Sequence, residues 1–307
     1  MLKTRFAAFV MTFERPDVLV ETIKKIQSQS FPPAVVLIVD NSNNYTTQER
    51  LQKENLIGIE YLRVGYNSGP AGAAYLALKH LTNLGFEWIY WGDDDNPPRD
   101  TTVFANLMGA MEKLTSQGIK LGLLGEKGGK FNSFSGRIKS LSNFELKQGE
   151  YLEVDSIPGG HSMIVNTEVI KNKIFPNSDL FFGFEEFDFC LNIKKSSFKL
   201  MITTAPWLKV REENNLSNKE YRWRGNSFGK SDQLQREYYS TRNLLDIFYK
   251  HHYYIPFVIL LIKSFGKMLL GFKYGTHYGR NMFLIQSHAI TDFFKGNFGM
   301  KKHINRL

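Results

Sequence analysis

Short apolar runs alternate with segments of helical periodicity along most of the chain, and this alternation is its tightest constraint. Phe6 to Met11 reads as a buried strand. Leu19, Ile23 and Ile26 then recur at helical spacing behind Pro16. Val35 to Val39 is a second, β-branched strand that ends at Asp40-Asn41-Ser42. Ile59 to Val64 is a third. A helix opens at Asn67-Ser68-Gly69-Pro70-Ala71-Gly72 and runs to about Leu84, and Trp88 to Trp91 forms a fourth strand. This order predicts an α/β fold, with a mainly parallel sheet and helices on both faces.

The middle is less regular. Residues 125–150 are rich in Gly, Ser, Asn and Lys and predict hairpins or loops. A short strand follows within Val154 to Val165, and Thr167 is expected to cap a helix. Glu185 to Lys195 predicts another helix, and Lys199 to Thr203 a late strand. Residues 211–232 are polar, and their composition fits a lid over a site and a surface loop equally well. The expected division is residues 1–232 as one α/β domain and 233–307 as a helical, basic C-terminal region.

Asp93-Asp94-Asp95 follows the fourth strand directly. Adjacent carboxylates repel unless a cation or ligand offsets them. The carboxyl end of a strand is where open α/β sheets bind ligands. Hard oxygen donors there suit Mg²⁺ or Mn²⁺ carrying a diphosphate. In isolation the triplet reads better as a solvated acidic turn closed by Asn96-Pro97-Pro98, and the surrounding strand reverses that reading.

Charge is unevenly placed. Of the net +9, residues 1–208 hold −1 and residues 209–307 hold +10. An anionic partner is expected for the basic third. Tyr254 to Phe272 is strongly apolar but broken by Lys263 and Lys267, and its unbroken run Ile255–Ile262 is well short of the roughly twenty residues that span a bilayer. Lys273, Arg280, Lys295, Lys301, Lys302 and Arg306 follow, opposed after residue 250 only by Asp292. The pattern favours an interfacial helix on an anionic membrane surface. Packing on the main body or on a second copy, as a homo-oligomer contact, is the other reading. No nucleic-acid motif accompanies the charge, so nucleic acid is not an expected partner. No signal peptide is expected, because the apolar run Phe6–Phe13 is short and no small-residue cleavage site follows it. The single cysteine, Cys190, precludes an intramolecular disulfide and suits a reducing compartment.

Five stretches in order resemble the inverting family 2 glycosyltransferases of the GT-A fold, over roughly residues 5–210. They are Val10–Pro16, Val39-Asp40-Asn41, Asn67–Gly72, Asp93-Asp94-Asp95 and Phe181–Leu191. Tyr238–Asn243 and the basic tail are similar to galactofuranosyl- and rhamnosyltransferases of bacterial surface polysaccharide synthesis. Asp95 is the expected contact for Mn²⁺ or Mg²⁺, with Asp93 on the ribose or the metal, and the resemblance implies Asp94 on the donor sugar. It implies that Asp40 binds a uracil-type ring, with Thr12, Phe13 and Glu14 lining that pocket and Asn67 at the nucleotide sugar. Glu186 is the expected base for a sugar hydroxyl, with Glu185 beside it as the alternative. Glu185 and Asp188 are expected to raise its pKa by like-charge repulsion. Gly160 and His161 are candidates to touch a sugar. Many relatives carry a metal-binding His about two dozen residues after the acidic pair. Here that region reads Pro206–Arg211 with no His, so either the metal has fewer protein ligands or Lys209 or Arg211 meets the diphosphate directly.

The implied function is metal-dependent transfer from a nucleotide-diphosphate sugar to a lipid-linked glycan acceptor. UDP-galactofuranose is the first donor and dTDP-rhamnose the second, at the cytoplasmic face of a bacterial membrane. A non-catalytic nucleotide-sugar-binding scaffold is the alternative from another class.

Overall fold

A computed structural model describes residues 5–54, 56–160, 162–214 and 234–301. The elements run β1 Phe6–Thr12, α1 Pro16–Gln27, β2 Val36–Asp40, α2 Thr46–Gln52, β3 Ile59–Arg63, α3 Gly69–Asn83, β4 Trp88–Asp93, α4 Val103–Ser116 and β5 Leu121–Gly125. Then come β6 Gly129–Asn132, β7 Arg137–Ser140, α5 Asn143–Leu146, β8 Tyr151–Glu153, β9 Met163–Asn166, α6 Thr167–Lys171, α7 Glu185–Lys194, β10 Lys199–Thr203 and α8 Ala205–Glu213. The described C-terminal helices are α9 Leu234–Lys250, α10 Tyr254–Leu270 and α11 Thr276–Phe294. The expected strands stand within a residue or two of their places.

One sheet has the order β3-β2-β1-β4-β9-β5-β10-β8. β3, β2, β1, β4, β5 and β10 point the same way, while β9 and β8 run against their neighbours. The near-continuous apolar sequence of β1, β2 and β5 follows from this position, since every residue of each is buried. Helices pack on both faces. Leu19, Ile23, Phe104 and Leu107 join Val10 and Tyr90 in one layer. Ala74, Leu78 and Phe189 join Phe9 and Trp91 in the other. Trp91 is fully buried, and truncation to alanine would cost about 3–5 kcal/mol.

Two details differ from expectation. β4 runs on through Asp93, so the first aspartate of the triplet belongs to the strand. Asn166, not Thr167, caps α6, its side chain accepting from the Glu168 N–H. Thr167 Oγ1 instead donates to the Phe86 carbonyl at 2.8 Å, tying α6 to the approach to β4.

The C-terminal helices form a third layer. α9 lies against α10 and α11. It also reaches the main body, because Ile247 and Phe248 pack with Ala71, Leu180, Phe187 and Leu191. His251, just past α9, has its Nε2 3.0 Å from Asp188 Oδ1 on α7.

Candidate active site

The carboxyl ends of β1, β2 and β4 open into a cavity of about 720 Å³. Thr12 and Phe13 line it from the end of β1, Asn41 from just past β2, and Asn67, Gly69 and Pro70 from the start of α3. Asp93, Asp94 and Asp95 form one wall. Phe181, Phe182, Gly183, Glu185 and Glu186 contribute another, and Gln235, Arg236 and Tyr239 of α9 complete the rim. The position is the one parallel α/β sheets use for ligands.

The aspartates differ sharply. The Asp94 side chain is fully buried. One of its oxygens accepts from Thr12 Oγ1 at 2.7 Å and the other pairs with Arg15. Its carbonyl accepts from Thr22 Oγ1. Asp95 is exposed and takes Arg15 Nη1 at 2.6 Å. One guanidinium therefore bridges two neighbouring carboxylates. Asp93 has no such partner in the triplet. Burial, then the charges of Glu186, Asp95 and Asp94, push its pKa up to about 7 against the opposing pull of Arg15.

Gly159 and Gly160 let one stretch of backbone lie against both Glu186 and Asp93. Gly160 has φ +68°, and a Cβ there would lie 2.3 Å from Asp93 Oδ2. A Cβ on Gly159 would lie 2.9 Å from Glu186 Oε1 and 2.6 Å from Trp91 Nε1. Only glycine allows this approach. Gly160 thus backs the aspartate wall. His161, expected beside it as a sugar contact, lies outside the described residues, as does most of the segment expected as a lid.

Glu185 and Glu186 open α7. Glu185 is buried, and its Oε2 has no hydrogen-bond partner among the described residues. Burial first, and then the Glu186 charge, raise its pKa well above the carboxylate range. Glu186 is half-buried. Burial raises its pKa too, while hydrogen bonds from its own N–H and that of Gly159 hold it back. Burial disfavours charge on both carboxylates, and Glu185 is the more deeply buried of the two. Glu186 is the group suited to accept a proton.

The loop before α7 is strained. Phe181, Gly183 and Phe184 all have positive φ, of 61°, 83° and 70°. Two buried residues of α9 hold it. The Asn243 side-chain amide donates toward the carbonyls of Leu180, Phe182 and Gly183 at 3.0, 2.9 and 2.9 Å. Arg242 donates to Leu180 O and Gly299 O, both at 2.9 Å, and to Asn243 Oδ1.

Four expected residues stand elsewhere. Asp40 is sealed from the cavity, with Oδ2 accepting from the Tyr61 hydroxyl at 2.6 Å and Oδ1 from the Ser42 N–H at 2.8 Å. Its neighbour Asn41 faces the cavity instead. Arg211 is buried on α8, where Nη1 donates to Asn143 Oδ1 at 2.7 Å. Helix α8 carries it away from the cavity wall. Asp188 meets His251 and Asn192 rather than the cavity. Glu14 is exposed with φ 55°, its N–H donating to Ser42 Oγ at 2.8 Å.

Arg15, Arg236 and Tyr239 were not singled out from sequence. Arg15 sits in a recognisable stretch, but nothing there signals a bridge across 80 residues to Asp95. Arg236 and Tyr239 reach the rim only because α9 folds back onto the Phe181–Gly183 loop.

A divalent cation fits this donor set. Asp93 is unbalanced, and Asp95 is an exposed hard oxygen donor. Among the described residues no three acidic, His or Cys side chains form a ready-made metal cluster, so other ligands would have to come from a bound diphosphate.

The family description "Glycosyl transferase family 2" matches residues 8–172, more than half the chain. Galactofuranosyltransferase GlfT1 of Mycolicibacterium smegmatis is 34% identical over 101 residues, covering 33% of this chain and 33% of that protein. GlfT1 of Mycobacterium tuberculosis is 32% identical over 107 residues, covering 34% and 35%. The match spans about a third of the length of these relatives. Mannosyltransferase PcManGT from Pyrobaculum calidifontis, solved in complex with GDP-Man and Mn²⁺, superposes with a TM-score of 0.53 at 12% identity, covering 94% of this chain and 87% of that one. At that identity the likeness is one of fold, and the fold is GT-A.

Proposed function

The chain belongs to glycosyl transferase family 2, and on that premise we propose that it is an inverting glycosyltransferase using a nucleotide-diphosphate sugar. One observation supports this most: the aspartate triplet and the Glu185–Glu186 pair face a single cavity at the carboxyl edge of the sheet. UDP-galactofuranose is the donor we favour, because the GlfT1 relatives are galactofuranosyltransferases. dTDP-rhamnose is second. The acceptor is a hydroxyl of a lipid-linked or polysaccharide glycan at the cytoplasmic face of a bacterial membrane.

Thr12, Phe13, Asn41 and Asn67 receive the nucleoside, with Asp40 fixing that end from behind through Ser42 and Tyr61. Asp93 and Asp95 would hold Mn²⁺ or Mg²⁺. When bound, the ion neutralises charge on the diphosphate. Among the described residues Arg15 and Arg236 are the cations of the cavity wall, and they take the role expected of Lys209 or Arg211. Glu186 accepts the proton of the acceptor hydroxyl. That oxygen bonds to the anomeric carbon from the face opposite the diphosphate. The carbon–oxygen bond to the diphosphate breaks, its electron pair leaves with the nucleotide, and the configuration inverts. Glu185 stays protonated beside it and keeps the base a monoanion.

Transfer from UDP-galactofuranose and dTDP-rhamnose to a panel of lipid-linked glycans tests the reading, with product configuration read by NMR. A new linkage of inverted configuration is expected from one donor. Nucleotide binding without transfer from either would favour a non-catalytic scaffold.

A further inference from the structure

The outward face of α10 has no partner among the described residues. Ile255, Val258, Ile262, Phe265 and Leu269 recur at spacings of three and four, so they form one stripe. Each is 50–73% exposed. The opposite face of α10 is occupied, with Pro256, Ser264 and Met268 buried. Met268 packs with Leu245 and Ile290 of α9 and α11.

A second element, distant in sequence, extends the same face. The turn of the β6–β7 hairpin rests on the start of α10, where a Cβ at Gly136 would lie 2.8 Å from Pro256 and 2.9 Å from Phe248. Phe131 packs against Tyr253, with centroids 4.8 Å apart and the rings tilted by 60°. The hairpin shows Phe134 and Ile138 to solvent, at 67% and 38% exposure. It also brings Arg137 into the field of Lys263. Partial burial, Arg137 and Lys267 together hold the Lys263 pKa below the usual lysine value.

The charge on this layer has one sign outward. Lys263, Lys273, Arg280 and Lys295 are exposed. The acidic groups nearby are already engaged: Asp292 accepts from the Tyr238 hydroxyl at 2.6 Å, and Glu237 pairs with Lys267. Exposed Tyr254 and Tyr274 mark the two ends of the run, as aromatic residues do at membrane–water interfaces.

We propose that α10 and the β6–β7 hairpin together form a docking face that lies in the plane of an anionic bilayer. Apolar side chains enter the headgroup–acyl boundary and the surrounding cations meet acidic headgroups. The protein body supplies the polar side that an isolated interfacial helix would need.

The Tyr254–Tyr274 run, at 21 residues and mean hydropathy 1.8, is long and apolar enough to cross a membrane. Its packing argues for lying flat. Crossing would carry α9 and α11 into hydrocarbon, and with them buried Arg242, Asn243, Gln286 and Asp292. Lying flat also serves the cavity. Lys267 on α10 pairs with Glu237, the immediate neighbour of the rim residue Arg236. The docked helix is thus tied to the helix that carries the rim, which on the proposed function would meet a lipid-linked acceptor.

Vesicle flotation tests this without reference to catalysis. The full chain is mixed with phosphatidylcholine vesicles with and without phosphatidylglycerol. Strong flotation with anionic vesicles, weakened by salt, is expected. Ile262→Glu should reduce it at least tenfold, and Phe134→Glu on the hairpin several-fold. Both variants should keep the parental melting temperature and its response to UDP. Equal flotation with neutral and anionic vesicles would overturn the proposal, as would parental flotation by Phe134→Glu. So would a dimer in sedimentation that Ile262→Glu converts to monomer while the parent fails to float, since the face would then belong to a second copy.

Discussion

The two acidic walls of the cavity carry similar groups and are built in opposite ways. In the aspartate wall, Arg15 bridges Asp94 and Asp95, and Thr12 completes the shell of Asp94. Only Asp93 is left with its charge poorly offset. In the glutamate wall no cation touches Glu185 or Glu186 among the described residues, and each raises the proton affinity of the site. A wall with its own cation is prepared to hold charge in place. A wall without one is prepared to exchange a proton. On the proposed function, the contrast fits donor binding at the first wall and acceptor activation at the second.

The largest test of that contrast is Glu186→Gln. Turnover should fall about 10³-fold, the middle of the range for a general base, while donor affinity holds. Asn243→Ala comes next. It releases the loop that aims Glu186, and misplacement by about 1 Å costs about 10²-fold. A steady-state assay should show kcat falling much more than the donor KM changes. An equal change in both would make Asn243 a cavity-wall residue only. Glu185→Gln should lower turnover about tenfold at most, because glutamine copies the protonated state assigned to Glu185. Equal loss in the Glu185 and Glu186 variants would reverse their roles.

The smallest effect concerns stability. Asp93 binds a proton more tightly folded than unfolded, so its contribution is present at low pH and is lost as pH rises toward about 7. Asp93→Asn should raise the metal-free melting temperature at pH 8 by about 3 °C, with no gain at pH 4. It should also abolish stabilisation by Mn²⁺. A variant that melts lower at pH 8 would show that Asp93 is already balanced.

Much of this was legible in the chain. Strands buried on both faces declare themselves through continuous apolar runs, as Phe6–Met11 and Val35–Val39 do. The triplet and the acidic pair sit at strand and helix ends, where local pattern fixes position. What failed depends on long-range geometry. The antiparallel insertion of β9 between β4 and β5 leaves no trace in a strand as short as Met163–Asn166. Asp40 lies at a strand end as expected, but whether its carboxylate faces the cavity or Tyr61 is set by β3. Arg211 was placed by its distance from the acidic pair, and α8 carries it to Asn143. The α9 contribution is the clearest case. Asn243 ends the resembling stretch Tyr238–Asn243, but that it and Arg236 return to the Phe181–Gly183 loop is set by how α9 packs, which local pattern does not encode.

Calorimetric titration of UDP with Mn²⁺ into Asp95→Asn and Glu186→Gln, alongside single-turnover transfer, tests the division between the walls most directly. Asp95→Asn should lose UDP affinity. Glu186→Gln should bind UDP as the parent does and transfer no sugar. If Glu186→Gln weakens UDP as much as Asp95→Asn does, or keeps its turnover, the two walls do not divide the work in this way.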